Sequence, residues 1–236
     1  MEAINLKAIL DDILGVIYPH VCEVCGVSLA KGEETLCLHC MAQLPRTSMH
    51  TDKFNAIHER LAGSTPIEKA AGYFYYYKDS PYASLIHTAK YRGRPIVAES
   101  IARKFAKELQ KDGFFDDVDI IIPVPLHLSK LIRRGYNQSE AVARGLNVVS
   151  GIRVGNNIVA RKGHSTQTRK GSFQRWLNIQ DVYAIKNAEQ LKNKHILVVD
   201  DVITTGATLL ACCQELHRVA PTARISVLTL AVTHLH

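Results

Sequence analysis

Two adjacent carboxylates, Asp200 and Asp201, stand between an apolar run, Ile196-Leu197-Val198-Val199, and a small hydroxylated turn, Thr204-Thr205-Gly206-Ala207-Thr208. That order suits a ligand joining a phosphate to a sugar. An apolar run of this kind predicts a buried strand, and ligands of α/β folds bind where strands end. The turn opens an apolar helix predicted over 209–219, so its free backbone amides and the positive end of its dipole face an anion. Gly206 lets the backbone come close, and the threonines add hydroxyl donors. The aspartates, repelled by an anion, must face something else: ribose hydroxyls, or a magnesium ion held with them. The plain alternative is a strand-to-helix loop with a threonine cap; the nine residues together are far more specific than a lone Asp-Asp.

This stretch resembles the PRPP-binding motif of type I phosphoribosyltransferases, PRPP being 5-phosphoribosyl 1-diphosphate. The resemblance implies that Thr204, Thr205, Gly206, Ala207 and Thr208 hold the 5′-phosphate. It implies that Asp200 and Asp201 hold the ribose hydroxyls, with Mg2+ accompanying PRPP.

Other residues set the frame. Cys22-x-x-Cys25 and Cys37-x-x-Cys40 are separated by eleven residues, and Gly26 follows the first pair as a tight knuckle requires. Each pair supplies one edge of a tetrahedron, so Cys22, Cys25, Cys37 and Cys40 predict a closed structural Zn2+ site rather than two disulfides. All four positions being protein ligands, the metal serves folding of a segment too short for its own core. His20 and His39 read as bystanders, and Cys212 and Cys213 as small core fillers.

The formal net charge is +7 and is unevenly placed. Between His127 and Arg175 stand Lys130, Arg133, Arg134, Arg144, Arg153, Arg161, Lys162, Arg169, Lys170 and Arg175 against Glu140 alone. A solvated face intersperses both signs, so this surplus favours a polyanion or polyphosphate partner. Residues 2–18 have the spacing of an amphipathic helix interrupted by Glu2, Asp11 and Asp12, unlike a signal peptide. No segment is long and apolar enough to span a bilayer. The expected setting is therefore the cytoplasm, without membrane insertion, where thiols stay reduced.

Predicted strands over 71–77, 119–125, 158–161, 181–185 and 224–232 alternate with helices over 81–89, 95–109 and 138–149. This implies an α/β fold: a mostly parallel sheet with helices on both faces, plus a small N-terminal zinc-binding module. The division expected is 1–60 for the N-terminal helix and zinc module and 61–236 for the larger domain. Residues 47–66 read as a linker or entry loop. The aromatic run Tyr73-Phe74-Tyr75-Tyr76-Tyr77 reads as core rather than a base-stacking surface. The polar, basic stretch 162–175 reads as a long functional loop.

The four cysteines, Arg133-Arg134-Gly135-Tyr136-Asn137-Gln138 after Val124-Pro125-Leu126-His127, and Gln167 with Arg175 and Asn178 together resemble ComF-type competence proteins and the related GntX-like proteins. The resemblance runs over 22–232. It implies that Lys90-Tyr91-Arg92-Gly93 is the pyrophosphate-side loop and that 162–175 folds over bound PRPP. Arg133, Arg134, Asn137, Gln138, Gln167, Arg175 and Asn178 are the implied anion-binding and lid residues. The chain departs from the family where a glycine-leucine pair would follow Gln167, and no residue pattern marks a nucleobase pocket. The expected function is a PRPP-binding, phosphoribosyltransferase-like protein acting in DNA uptake or in handling internalised single strands, with competence or recombination proteins as partners. Turnover stays open. The alternatives are a non-catalytic single-stranded DNA-binding accessory protein and a PRPP-sensing regulator.

Overall fold

A computed structural model of the chain describes residues 20–61, 65–91, 93–161 and 182–233. The N-terminal helix expected over 2–18, the loop 162–175, and Arg92, Gln167, Arg175 and Asn178 lie outside the described residues. Two compact units are present, Met1–Leu44 and Pro45–His236.

In the first unit a short antiparallel bridge, Val21 to Ser28, carries one Cys-x-x-Cys turn. Helix α1 (Leu38–Ala42) carries the other, and Cys37 caps it by accepting from the Cys40 amide at 3.4 Å.

The second unit is built on four parallel strands in the order β1 (Ala70–Tyr76), β6 (Arg224–Thr233), β5 (His195–Ile203), β2 (Ile120–Pro123). β3 (Ile158–Ala160) and β4 (Tyr183–Ile185) form a separate antiparallel pair. The helices are α2 (Ala56–Leu61), α3 (Ala83–Tyr91), α4 (Pro95–Lys111), α5 (Leu128–Arg134), α6 (Gln138–Ser150) and α7 (Ala207–Val219). β2 and the first half of β5 are fully buried, as strands covered on both faces must be. Alternation sends Ile120, Ile122, Ile196 and Val198 into one core with Leu209, Cys212, Cys213 and Leu216 of α7. Ile121, Leu197 and Val199, also buried, point to the opposite face, where α6 packs against both strands and against α4. Helix α6 comes close to α4 at Gly145, where a Cβ would stand 2.4 Å from the Glu99 carbonyl oxygen.

The strand starts are tied by charge. Arg224 reaches Glu68 at 2.9 Å and Asp117 at 2.7 Å, Lys69 meets Asp117 at 2.7 Å, and Lys194 meets Asp119 at 2.9 Å.

Two expectations need correction. The strand of the acidic motif does not stop at Val199. β5 runs on to Ile203 because its ladder with β6 continues, pairing Asp200 with Thr229, Val202 with Ala231 and Ile203 with Val232. The stretch 47–66 is not a bare linker either. It contains a 3-10 turn (Met49–Thr51) and α2, whose Met49, Ile57 and Leu61 enter the core. Asn55 makes this possible, its amide oxygen accepting from the Ile57 amide at 3.0 Å while its nitrogen donates to the Met49 and Ala70 carbonyls at 2.9 and 2.8 Å. Six helical residues are too few to show a period.

Candidate functional site

Because Asp200 and Asp201 lie within a strand, their side chains leave opposite faces and find different partners. Asp200 Oδ1 accepts from Ser139 Oγ at 2.8 Å and from the Asp201 amide at 2.8 Å. Burial, and then the neighbouring Asp201 carboxylate, push Asp200 up to about 7, against the opposing pull of these two donors and of Lys90. Asp201 is 8% exposed, and its Oδ2 lies 3.1 Å from Lys90 Nζ. Among the described residues that oxygen is buried without a hydrogen bond, and only the ammonium charge compensates it. A divalent cation or a sugar hydroxyl fits such a carboxylate oxygen.

Beyond β5 the turn behaves as its composition predicts. Thr204, Thr205, Ala207 and Thr208 are exposed, and Gly206 sits in the left-handed region at φ 78° as the cap of α7. Gly206 has no side chain to cap this 13-residue helix, and among the described residues the only side-chain acceptor at its start is Thr205 Oγ1, 3.4 Å from the Ala207 amide. The first turn therefore presents amide donors and the positive dipole end to a small pocket lined by 202–209 and Asp200.

The sequence reading missed Arg60. Its stem lies against this turn: a Cβ on Gly206 would stand 3.0 Å from Arg60 Cγ and 3.1 Å from Cδ. A long-range packing contact of this kind leaves no local signal. Ser139, also missed, could have been suggested only by its place in the first turn of a predicted helix.

The third group comes from α3 and from the segment joining α5 to α6. Tyr136 Oη donates to the Ala89 carbonyl, and the Arg134 guanidinium lies 5.4 Å from the Tyr91 ring centroid. Arg134 also donates to Gln138 Oε1 at 2.8 Å. Among the described residues Arg134 Nε is a buried donor without a hydrogen-bond partner, while the Gln138 amide faces the Tyr136 hydroxyl. Asn137 is committed to structure: it caps α6 by accepting from the Ser139 amide at 3.1 Å and donates to the Val124 carbonyl at 2.9 Å. Arg133 stands exposed on α5, none of whose residues is buried. Lys90, Tyr91, Arg134, Tyr136, Gln138 and Asp201 are thus one cluster at the C-terminal end of the sheet; Arg133 is outside it.

In the first unit, the sulfurs of Cys22, Cys25, Cys37 and Cys40 lie within 4.8 Å of one another, with Cys25 and Cys37 at 3.7 Å. Tetrahedral bonds of about 2.3 Å to zinc place sulfurs about 3.8 Å apart, so the cage fits that ion and no disulfide. Burial raises Cys22, but amide donors from Cys25, Cys37 and Val24 outweigh it and bring the thiol down to about 7. Burial and the other three sulfurs drive Cys40 the other way. Four crowded sulfurs that cannot all ionise are what a bound cation relieves. Glu68, Asp117 and His195 also cluster, but Lys69 and Arg224 already satisfy those carboxylates.

The phosphoribosyl transferase domain family matches residues 94–234, including both carboxylates, the threonine-glycine turn and α7. The chain belongs to the phosphoribosyl transferase domain family. Its relatives make it a ComF-type member. The DNA utilization protein YhgH of Escherichia coli is 27% identical over 210 residues, covering 85% of this chain and 92% of its own length. Competence protein F of Haemophilus influenzae is 30% identical over 134 residues, covering 55% of this chain and 58% of its own. Among solved structures, adenine phosphoribosyltransferase from Saccharomyces cerevisiae aligns with a TM-score of 0.38 and 13% identity over 59% of this chain and 70% of that one. No helix among the described residues is long and apolar enough to cross a membrane.

Proposed function

We infer that this phosphoribosyl transferase domain binds PRPP and acts in DNA uptake. The observation that carries the binding is the uncapped start of α7, placed directly after a strand that bears Asp200 and Asp201. In this reading the 5′-phosphate lies on the amides of 204–208 beside Arg60. Asp200 and Asp201 take the ribose hydroxyls and would hold Mg2+, which supplies charge neutralisation for the diphosphate. Lys90 leaves Asp201 for the diphosphate, and Arg134 supplies the second cation there. Ser139 keeps Asp200 in place throughout. If an acceptor attacks the sugar, catalysis rests on position and charge stabilisation, with diphosphate leaving. The place in DNA uptake is supported by the names of relatives, one a DNA utilization protein and two competence proteins. Structural Zn2+ in the four-cysteine cage completes the reading.

Titration calorimetry with PRPP and magnesium tests it. The wild-type chain should bind, and the variant with Asp200→Ala and Asp201→Ala should bind at least about tenfold more weakly, as loss of two charge-assisted contacts requires. A wild-type chain that takes up no PRPP at millimolar concentration sinks the reading.

A second reading, single-stranded DNA binding, is favoured by Lys130, Arg133 and Arg153, which stand exposed with no carboxylate partner among the described residues. It requires affinity that falls steeply with salt, and a shallower slope when these three become alanine.

A further inference from the structure

We propose that a cavity where β1 starts is a second ligand site, that it takes a small aliphatic diamine, and that α2 links it to the phosphate turn. The cavity measures about 230 Å³ and shares no lining residue with the phosphate pocket. One water needs only ~10–15 Å³ measured in this way, so there is room for a molecule. Two histidines set its chemistry. His50 and His58 both line it, the His50 side chain 9% exposed and His58 8%. Among the described residues neither Nδ1 has a hydrogen-bond partner. On His50, Nε2 lies 3.0 Å from Asp112 Oδ2. A carboxylate oxygen accepts, so in the neutral ring the proton sits on Nε2 and Nδ1 keeps a lone pair. In the same tautomer His58 offers a second. Buried acceptors without donors are costly, and a ligand that brings N–H groups removes that cost.

The charged groups of the wall point the same way. Glu68 and Lys69 are spent, on Arg224 at 2.9 Å and on Asp117 at 2.7 Å. Asp52 gives one oxygen to the Phe54 amide at 3.0 Å and Asp112 gives one to His50, which leaves each carboxylate with accepting capacity. The remaining cation of the wall is Lys53, whose Nζ lies 5.8 Å from the centroid of the exposed Phe54 ring. An anion brought here would meet two carboxylates and two lone pairs. A bare metal ion would need its ligands closer together. Among the described residues, three or more such atoms come within 4.8 Å only in the four cysteines and in Glu68, Asp117 and His195. An alkyl diamine suits the wall: its ammonium heads donate to imidazole and carboxylate, and its methylene chain lies along Ala70 and Phe114. The Phe114 ring already tolerates an ammonium, that of Lys69, 5.7 Å from its centroid.

Helix α2 extends the reach of the cavity. His58 stands on it, and just beyond, Arg60 and Leu61 lie against the phosphate turn: a Cβ on Gly206 would stand 3.0 Å from Arg60 Cγ and 3.3 Å from Leu61 Cδ2. Asn55, at the head of the helix, donates to the carbonyl of Ala70 at 2.8 Å, so the helix is tied to the cavity wall itself. Its six residues span only about 9 Å. A ligand that bears on His58 therefore bears on Arg60.

The test titrates the full zinc-bound chain with putrescine and with succinate, equal in length and opposite in charge, and follows individual backbone amides by NMR. Putrescine should shift the amides of 50–53, 58 and 112–114 together with those of 205–208; succinate should shift neither set. His58→Phe should weaken putrescine binding about tenfold, as loss of one charge-assisted contact does, and Asp112→Asn about three- to tenfold. The Asp112 side chain is half exposed, so this second variant decides the matter if His58→Phe does not fold. Absent shifts, shifts scattered over the whole surface, or unchanged affinity in Asp112→Asn overturn the site. Succinate bound as tightly overturns the ligand class, and shifts at the cavity with none at 205–208 overturn the link. PRPP takes no part in the experiment, so failure here and failure of the PRPP reading stay distinct.

Discussion

Asp200→Asn should make the protein more stable at pH 8 and leave it unchanged near pH 4. In the folded chain Asp200 is pushed from 3.8 up to about 7, first by burial and then by the Asp201 carboxylate. An acid whose folded value is raised binds its proton more tightly when folded than when unfolded. Below pH ~4 it is protonated in both states and contributes no difference. As pH climbs toward 7 the unfolded chain releases the proton first, and stability falls. The span of about three units, at about 1.4 kcal/mol each, caps the loss near 4 kcal/mol by pH 8. Asparagine keeps an oxygen for the two donors that Asp200 Oδ1 now serves, Ser139 Oγ and the Asp201 amide, both at 2.8 Å, while removing the charge. Urea denaturation of both proteins at pH 4.5, 6 and 8 should give a variant-minus-wild-type difference that opens with pH, to about 2–4 kcal/mol at the upper end. The zinc cage is common to both and cancels in that difference. A constant difference, or a wild type that gains on the variant as pH rises, would refute the reasoning. The stabilised variant should also bind PRPP more weakly, since strain kept at a site tends to belong to its function.

Other consequences are as direct. Purified protein should carry about one zinc per chain by elemental analysis, and Cys25→Ser or a strong chelator should remove it. Amide exchange should then accelerate up to Leu44, while the sheet keeps its protection; metal-free protein with unchanged exchange would remove the zinc assignment. Gly145→Ala should cost about 2–3 kcal/mol in denaturant titration, because the new methyl group meets the Glu99 carbonyl oxygen at 2.4 Å and the Ala102 Cβ at 2.7 Å. Arg60→Ala should weaken PRPP binding about tenfold without changing the midpoint of unfolding by more than a degree or two, as expected for one charge-assisted contact; an unaltered affinity would place the guanidinium away from the phosphate.

Local elements were legible. The carboxylates, the threonine-glycine turn, the helix behind it and the cysteine pairs each announce themselves within a dozen residues. Cys212 and Cys213 are fully buried, as their place in an apolar helix implied. What could not be read depended on partners distant in the chain. β5 continues past Val199 only because β6 offers a ladder, and that continuation is what parts the two carboxylates. Nothing near Gly206 foretells Arg60, and nothing near Asp200 foretells Ser139. Asn55, which holds α2 and the start of β1 together, looks like any loop asparagine until the Ala70 carbonyl is found beside it.

The strand order carries a cost in time. Beyond its isolated antiparallel bridge to Arg46, β1 pairs among the described residues with β6 alone, Ala70 lying opposite Val227, about 150 residues later. At about 5–20 residues per second, the ribosome needs roughly eight to thirty seconds to deliver that partner. Throughout that interval Tyr73 and Phe74, fully buried in the finished protein, have no sheet to enter. The cysteine unit is complete long before and can fold at once. The nascent aromatic strand must therefore be sheltered, by a chaperone or by brief non-native collapse, until the far end of the sheet emerges.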